Sequence, residues 1–213
     1  MHTVQLPRSS AQENRLGVTS AEVDFFRLFA VCFGRPSREC FTWLSGKGAR
    51  ALWKQLGRDL GVDVKLTRAD SFSSYSSYEA AYIALFEVGV PEPPVPLVES
   101  AHSKCKVPQE IVLECVNFYD VLGLRPSGSA FPADHLVTQL EFLSAVRYLR
   151  EGQSDLDRME PLRRLERDFM IRHVLSWLPA AQEKIDKIAP PLYPTLLRLL
   201  TALTRLEAET LDT

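Results

Sequence analysis

The chain has 213 residues, enough for one large helical domain or two small ones, with 46% hydrophobic and 24% charged residues, the balance of an ordinary globular protein. A formal net charge of -2 leaves no basic stripe for nucleic acid, and no block of like charge offers a polybasic anchor for a membrane surface. The first fifteen residues are polar, and the longest uncharged stretch, 188–197, is far too short to span a bilayer. The expected location is therefore the cytoplasm, with no stable membrane association. The cysteines Cys32, Cys40, Cys105 and Cys115 form no CxxC pair and lack zinc-ligand spacing, so buried, reduced thiols are expected.

Residues 1–18 read as a flexible segment preceding one helical domain over 19–213. Ser20 reads as the cap of a first helix carrying Val23, Phe25, Phe26, Leu28, Phe29, Cys32 and Phe33, which Gly34 and Pro36 stop. A second helical spacing covers 49–60, with Leu52, Trp53, Leu56 and Leu60. Residues 62–66 alternate like a strand but lack a partner run, and read as loop. A helix over 72–86 ends in Tyr82, Ile83, Leu85 and Phe86. The stretch 88–98 holds Pro91, Pro93, Pro94 and Pro96, which remove donors and fix backbone angles, so it reads as a stiff, extended connection. Helices resume over 108–122, 132–150, 154–177, 179–188 and 194–211, several opening on a proline whose missing N–H costs nothing in the first turn. The expected fold class is all-α, a single-domain bundle of eight or nine helices.

The helix from Pro132 carries the most informative pattern. Asp134, Thr138, Glu141, Ala145 and Tyr148 fall at steps of four, three, four and three, on one face. Leucines and a phenylalanine cover most of the remainder, so this stripe reads as the lining of a groove. A half-desolvated carboxylate there is a good receptor for arginine, through charge-assisted hydrogen bonds. Asp134 at about the third helical position equally fits a carboxylate serving the helix dipole, and His135 equally fits a helix-end cover. Glu99 and His102 form a single ExxH with no second copy, and Phe169, His173 and Trp177 form a stripe that reads as core. No GxSxG, phosphate-cradling glycine loop, HExxH or Cys–His arrangement is evident, so the chain is not expected to be an enzyme and no cofactor is expected.

Four segments, in order, resemble the TorD/DmsD/NarJ family of redox-enzyme maturation chaperones. They are Tyr82-Ile83-Ala84-Leu85-Phe86; Pro94-Val95-Pro96-Leu97-Val98-Glu99-Ser100; Pro132-Ala133-Asp134-His135-Leu136 with Gln139-Leu140-Glu141-Phe142; and Phe169, His173, Trp177 and Pro179. Gln139 stands where glutamate is common in that family, and the helix ending at Phe86 lacks a tryptophan found in some of its members. The resemblance implies an all-helical chaperone that binds the twin-arginine signal peptide, or the equivalent N-terminal segment, of a molybdopterin oxidoreductase's catalytic subunit. It implies help with cofactor insertion, prevention of premature export, and either a monomer or a domain-exchanged dimer. By the same resemblance the peptide site comprises Asp134, His135, Glu141, Tyr82, Phe86, Pro94, Pro96, Glu99 and Ser100. Two other readings compete. One is a metal-dependent helical-bundle enzyme with Glu99, His102 and Glu141 as ligands; the other is an adaptor binding partner helices through the leucine-rich helix at 194–211.

Overall fold

The computed structural model describes residues 23–66, 72–103, 107–124 and 131–212. The expected flexible segment 1–18, the cap at Ser20 and Cys105 lie outside them. Among the described residues there are nine α-helices and no strand, in keeping with the all-α expectation.

Helix α1 (Phe25–Phe33) starts at Asp24, whose carboxylate accepts the Arg27 N–H at 3.0 Å. Phe25, Phe26, Phe29 and Phe33 are buried along it. Helices α2 (Arg38–Leu44) and α3 (Lys47–Leu60) follow, α2 capped by Ser37. Gly61, at φ 67, ends α3, and the Val62 N–H returns to the Gly57 carbonyl at 2.7 Å. The following segment, expected as loop, packs Val64 over Gly57. Helix α4 (Tyr75–Tyr82) opens with a reciprocal Ser74/Ser77 capping box and widens into a π-turn at Ile83–Glu87.

The proline-rich connection is regular in neither sense and is pinned at both ends. The Val95 N–H donates to the Leu85 carbonyl at 3.0 Å, and Val98 makes an isolated antiparallel bridge with His135. A short 3-10 turn (Glu99–Ala101) and α5 (Pro108–Val121) come next. Helix α6 (Leu136–Glu151) begins later than its proline suggests, because His135, not Pro132, is its cap. Helix α7 (Leu156–Phe169) runs through a π-turn (Met170–Val174) toward α8 (Leu178–Ile185), and α9 (Leu192–Thr210) closes the described chain.

Helix α1 packs along α6, while α9 lies against α1, α3, α7 and α8. Leu196, Leu197, Leu199, Leu200 and Leu203 of α9 are buried. Leu206 is 48% exposed, because the covered face of α9 passes at that level through the buried Thr204 and Ala208 instead. Between α6 and α7 the Glu166 carboxylate has no exposed surface and takes Arg150 Nε at 2.7 Å and Arg147 Nε at 3.4 Å. Burial pushes its carboxyl above the usual range, and the two guanidiniums pull it partly back.

Candidate functional site: a groove between two helices and a buried polar cluster

A groove of about 750 Å³ runs between α1 and α6. From α1 and the Gly34 that ends it, the groove takes Arg27, Ala30, Val31 and Gly34, the i, i+3, i+4, i+7 face that the phenylalanines leave free. From α6 it takes Val137, Glu141, Ser144, Ala145 and Tyr148. Alanine, glycine and serine at the facing positions leave the space that larger side chains would fill. Arg35 and Phe131 close one end, with the Arg35 guanidinium 5.8 Å over the Phe131 ring. The groove therefore has an apolar floor and a rim of both signs. Glu141 is exposed on its wall; partial burial raises its carboxyl and the nearby Arg27 opposes that shift. The Asp24 carboxylate accepts the Ser144 hydroxyl across the helix pair.

The expected site residues divide. Glu141, Ala145 and Tyr148 line the groove, but Asp134 does not share their face. It precedes α6 and is only 2% exposed, accepting the Ser100 N–H on Oδ2 at 3.1 Å. The reading that put Asp134 at a third helical position on the lined stripe is thus corrected: the helix starts at Leu136, two residues after Asp134, and the carboxylate turns toward the 3-10 turn. His135 is buried too, stacked on Phe131 at 4.1 Å, with Nδ1 accepting the Val137 N–H at 3.1 Å. That burial depresses its pKa to about 4.

Tyr82 and Phe86 belong to an aromatic core around Tyr193, not to an open wall. The Tyr82 hydroxyl donates to the Phe33 carbonyl at 3.1 Å, and the Phe86 ring meets Tyr193 edge-on at 5.0 Å. Pro94 is exposed and Pro96 buried. The Ser100 backbone is held by Asp134, and Glu99 is 3% exposed.

Glu99 enters a second constellation. Its Oε2 accepts the Gln139 amide at 2.8 Å and lies 3.1 Å from His173 Nδ1, while Cys115 Sγ is 3.5 Å from that same nitrogen. The Ser176 hydroxyl reaches Oε1 at 3.4 Å, and Trp177 Nε1 donates to Gln139 Oε1 at 3.2 Å. Burial pushes the Cys115 thiol up to about 12. The stripe Phe169, His173, Trp177 is buried as expected, but its histidine is a member of this polar network. The ligand set Glu99, His102, Glu141 is not assembled. His102 Nε2 pairs with the Pro96 carbonyl at 2.7 Å and stacks on Trp177, and Glu141 faces the groove.

Sequence reading missed the α1 half of the groove, although Arg27, Ala30, Val31 and Gly34 are the non-aromatic face of an otherwise aromatic helix. It also missed the Cys115–His173 approach, whose partners are 58 residues apart and leave no local signal.

Among the described residues no helix is long and apolar enough to cross a membrane. The family model described as nitrate reductase delta subunit matches residues 47–183, well over half of the chain. The chain is 32% identical over 138 residues to the selenate reductase assembly chaperone protein of Thauera selenatis, covering 60% of this chain and 69% of that one. It is 30% identical over 141 residues to the chlorate reductase assembly chaperone protein of Ideonella dechloratans, covering 63% and 67% respectively. The dimethyl sulfide dehydrogenase assembly chaperone protein of Rhodovulum sulfidophilum matches at 29% over 212 residues, 92% of this chain and 82% of that one.

Proposed function

Because the chain belongs to the nitrate reductase delta subunit family, we propose that it is a cytoplasmic assembly chaperone, not a catalyst. Its client is the catalytic subunit of a molybdopterin oxidoreductase, and its ligand is that subunit's twin-arginine leader or equivalent N-terminal segment. One helical unit over 19–213 does this work, with no cofactor taking part in holding the leader. The assembly-chaperone role extends to this chain what the names of its relatives state of them; the leader as ligand follows from the resemblance of its motifs, and one observation supports the mechanism. That observation is the α1/α6 groove, with small apolar residues on its floor and the Glu141 carboxylate on its wall.

A leader of this kind presents two guanidinium groups followed by an apolar stretch. The carboxylate meets a guanidinium with two aligned N–H donors, and partial withdrawal from water makes each such bond stronger than on an open surface. The apolar stretch lies along Ala30, Val31, Val137 and Ala145 as a helix or extended segment in a groove. Ordering a flexible leader offsets several kcal/mol, so an affinity of about -8 to -12 kcal/mol is expected, tight enough to hold and weak enough to release. Peptide contact falls to Glu141, while Asp134, His135, Glu99 and Ser100 act by fixing the segment that ends at α6. Tyr82, Phe86 and Pro96 support it from within, and exposed Pro94 stands at its edge.

The test is titration of a labelled leader peptide, with its arginine pair intact or changed to lysines. Glu141→Lys is expected to weaken binding about tenfold or more, about 1.4 kcal/mol, and to erase the preference for arginine. Asp134→Asn, assayed where it is fully folded, stays within a factor of about three. Unchanged affinity in Glu141→Lys removes the groove from the mechanism.

A further inference from the structure

The buried cluster where the Glu99–Ala101 turn, α5 and the Met170–Val174 turn meet has the donors and the spacing of a metal centre. We propose that Glu99, Cys115 and His173 bind one divalent transition ion, zinc by preference, independently of any client.

The three ligand atoms lie within 4.8 Å of one another: Sγ to Nδ1 3.5 Å, Nδ1 to Oε2 3.1 Å and Sγ to Oε2 4.0 Å. Tetrahedral zinc, with bonds of about 2.3 Å to sulfur and about 2.0 Å to nitrogen or oxygen, sets those separations at roughly 3.5, 3.3 and 3.5 Å. Two of the three already agree closely. The third closes by about half an ångström on a small side-chain rotation.

Charge argues the same way. A thiolate, a carboxylate and a neutral imidazole together cancel a divalent cation, so the loaded cluster carries no net charge inside the core. The surrounding groups also suit a loaded site. Gln139 donates to the ligating oxygen of Glu99 at 2.8 Å and Ser176 to its other oxygen at 3.4 Å. His173 Nε2 is buried without a hydrogen-bond partner and looks toward Glu114 Oε2 at 3.8 Å. Metal-bound imidazoles donate from their second nitrogen to a carboxylate, and a small shift of the Glu114 side chain closes that bond. His173 itself sits in a π-turn, a geometry concentrated at functional positions. One sulfur, one nitrogen and one oxygen favour zinc or cobalt over magnesium and calcium, which require oxygen throughout. Water completes the fourth corner.

The test uses the full chain, stripped with a chelator and titrated with zinc and with cobalt(II). Expected are one ion per chain after dialysis, a rise in Tm on adding zinc, and a thiolate-to-cobalt charge-transfer band. Cys115→Ser abolishes the band and weakens zinc more than the 10–100-fold that losing an outer hydrogen bond costs. Asp63→Asn, an exposed carboxylate outside both the groove and the cluster, binds as the parent does. The proposal is overturned if the parent chain retains well under one ion per chain or shows no thiolate band. It is equally overturned if the band survives in Cys115→Ser, because another cysteine then holds the cobalt. The parent titration decides the matter even where a variant fails to fold.

Discussion

The carboxylate of Asp134 holds the backbone of Ser100, Oδ2 accepting its N–H at 3.1 Å. Two further ties run beside it, Glu99 N–H to the Asp134 carbonyl at 3.0 Å and Leu136 N–H to the Leu97 carbonyl at 2.8 Å, and together they make the Val98–His135 bridge. A side chain that looked like a receptor for a visitor is a clamp between two parts of its own chain. Asp134→Ala is therefore expected to lose about 1.5–3 kcal/mol in urea unfolding, the worth of a buried hydrogen bond to a charged acceptor. Asp134→Asn, which keeps an acceptor, loses less. A loss under about 0.5 kcal/mol for the alanine variant contradicts the clamp.

Glu166 joins two guanidiniums at the α6/α7 contact with none of its surface exposed. Glu166→Ala leaves Arg147 and Arg150 partly buried without it, and about 3 kcal/mol of destabilisation is expected. Replacing Glu166 and Arg150 together by leucine recovers much of that, since an apolar pair carries no desolvation cost. Chemical denaturation of the single and double variants reads both, and a double variant as weak as the single contradicts the account.

Gly57 lies inside α3, where alanine normally improves a helix by about 1 kcal/mol. Here an added Cβ comes 2.4 Å from Val64 Cγ2 and 2.6 Å from the Val62 carbonyl oxygen. The backbone atom cannot swing aside, so Gly57→Ala is expected to lower Tm despite the better propensity. A raised Tm shows that the 62–66 segment is free to lift.

His135 has its pKa depressed by burial to about 4, against about 6.5 in an unfolded chain. Between those values the unfolded state binds a proton that the native state refuses. The stability is fully present above about pH 6.5 and falls as pH drops toward 4. His102, also lowered chiefly by burial, adds in the same sense. Glu141 and Glu166, raised by burial, act in the opposite sense at the acid end. His135→Asn keeps a good cap acceptor without a titrating ring, so its stability is expected to fall less steeply between about pH 6.5 and 4.5. Equal slopes for parent and variant in urea denaturation place the pH dependence elsewhere.

The helices were legible because apolar residues recur at helical spacing and because proline marks first turns, as at Pro108 and Pro179. Proline misled where a cap intervened. Pro132 lies four residues before Leu136, and Pro194 sits inside the first turn of a helix that starts at Leu192. The groove was half legible: Glu141, Ala145 and Tyr148 announce themselves on α6, whereas the α1 face is hidden among phenylalanines. Tyr82 and Phe86 show the harder limit. Spacing marks which residues share a side of a helix, but not whether that side meets solvent or another aromatic ring. The clustering of Glu99, Cys115 and His173 depends wholly on tertiary packing, with partners up to 74 residues apart.

The wide turn at Met170–Val174 makes chain length itself a specification. It carries about one residue more than an ordinary helical turn, so deleting the half-exposed Ile171 would let the helix tighten and turn everything beyond it by about 100°. Trp177 would then swing off Gln139, and Pro179 would open α8 in a new direction. A substitution at that position alters one side chain on the surface; an excision re-aims α8 and α9 against the rest.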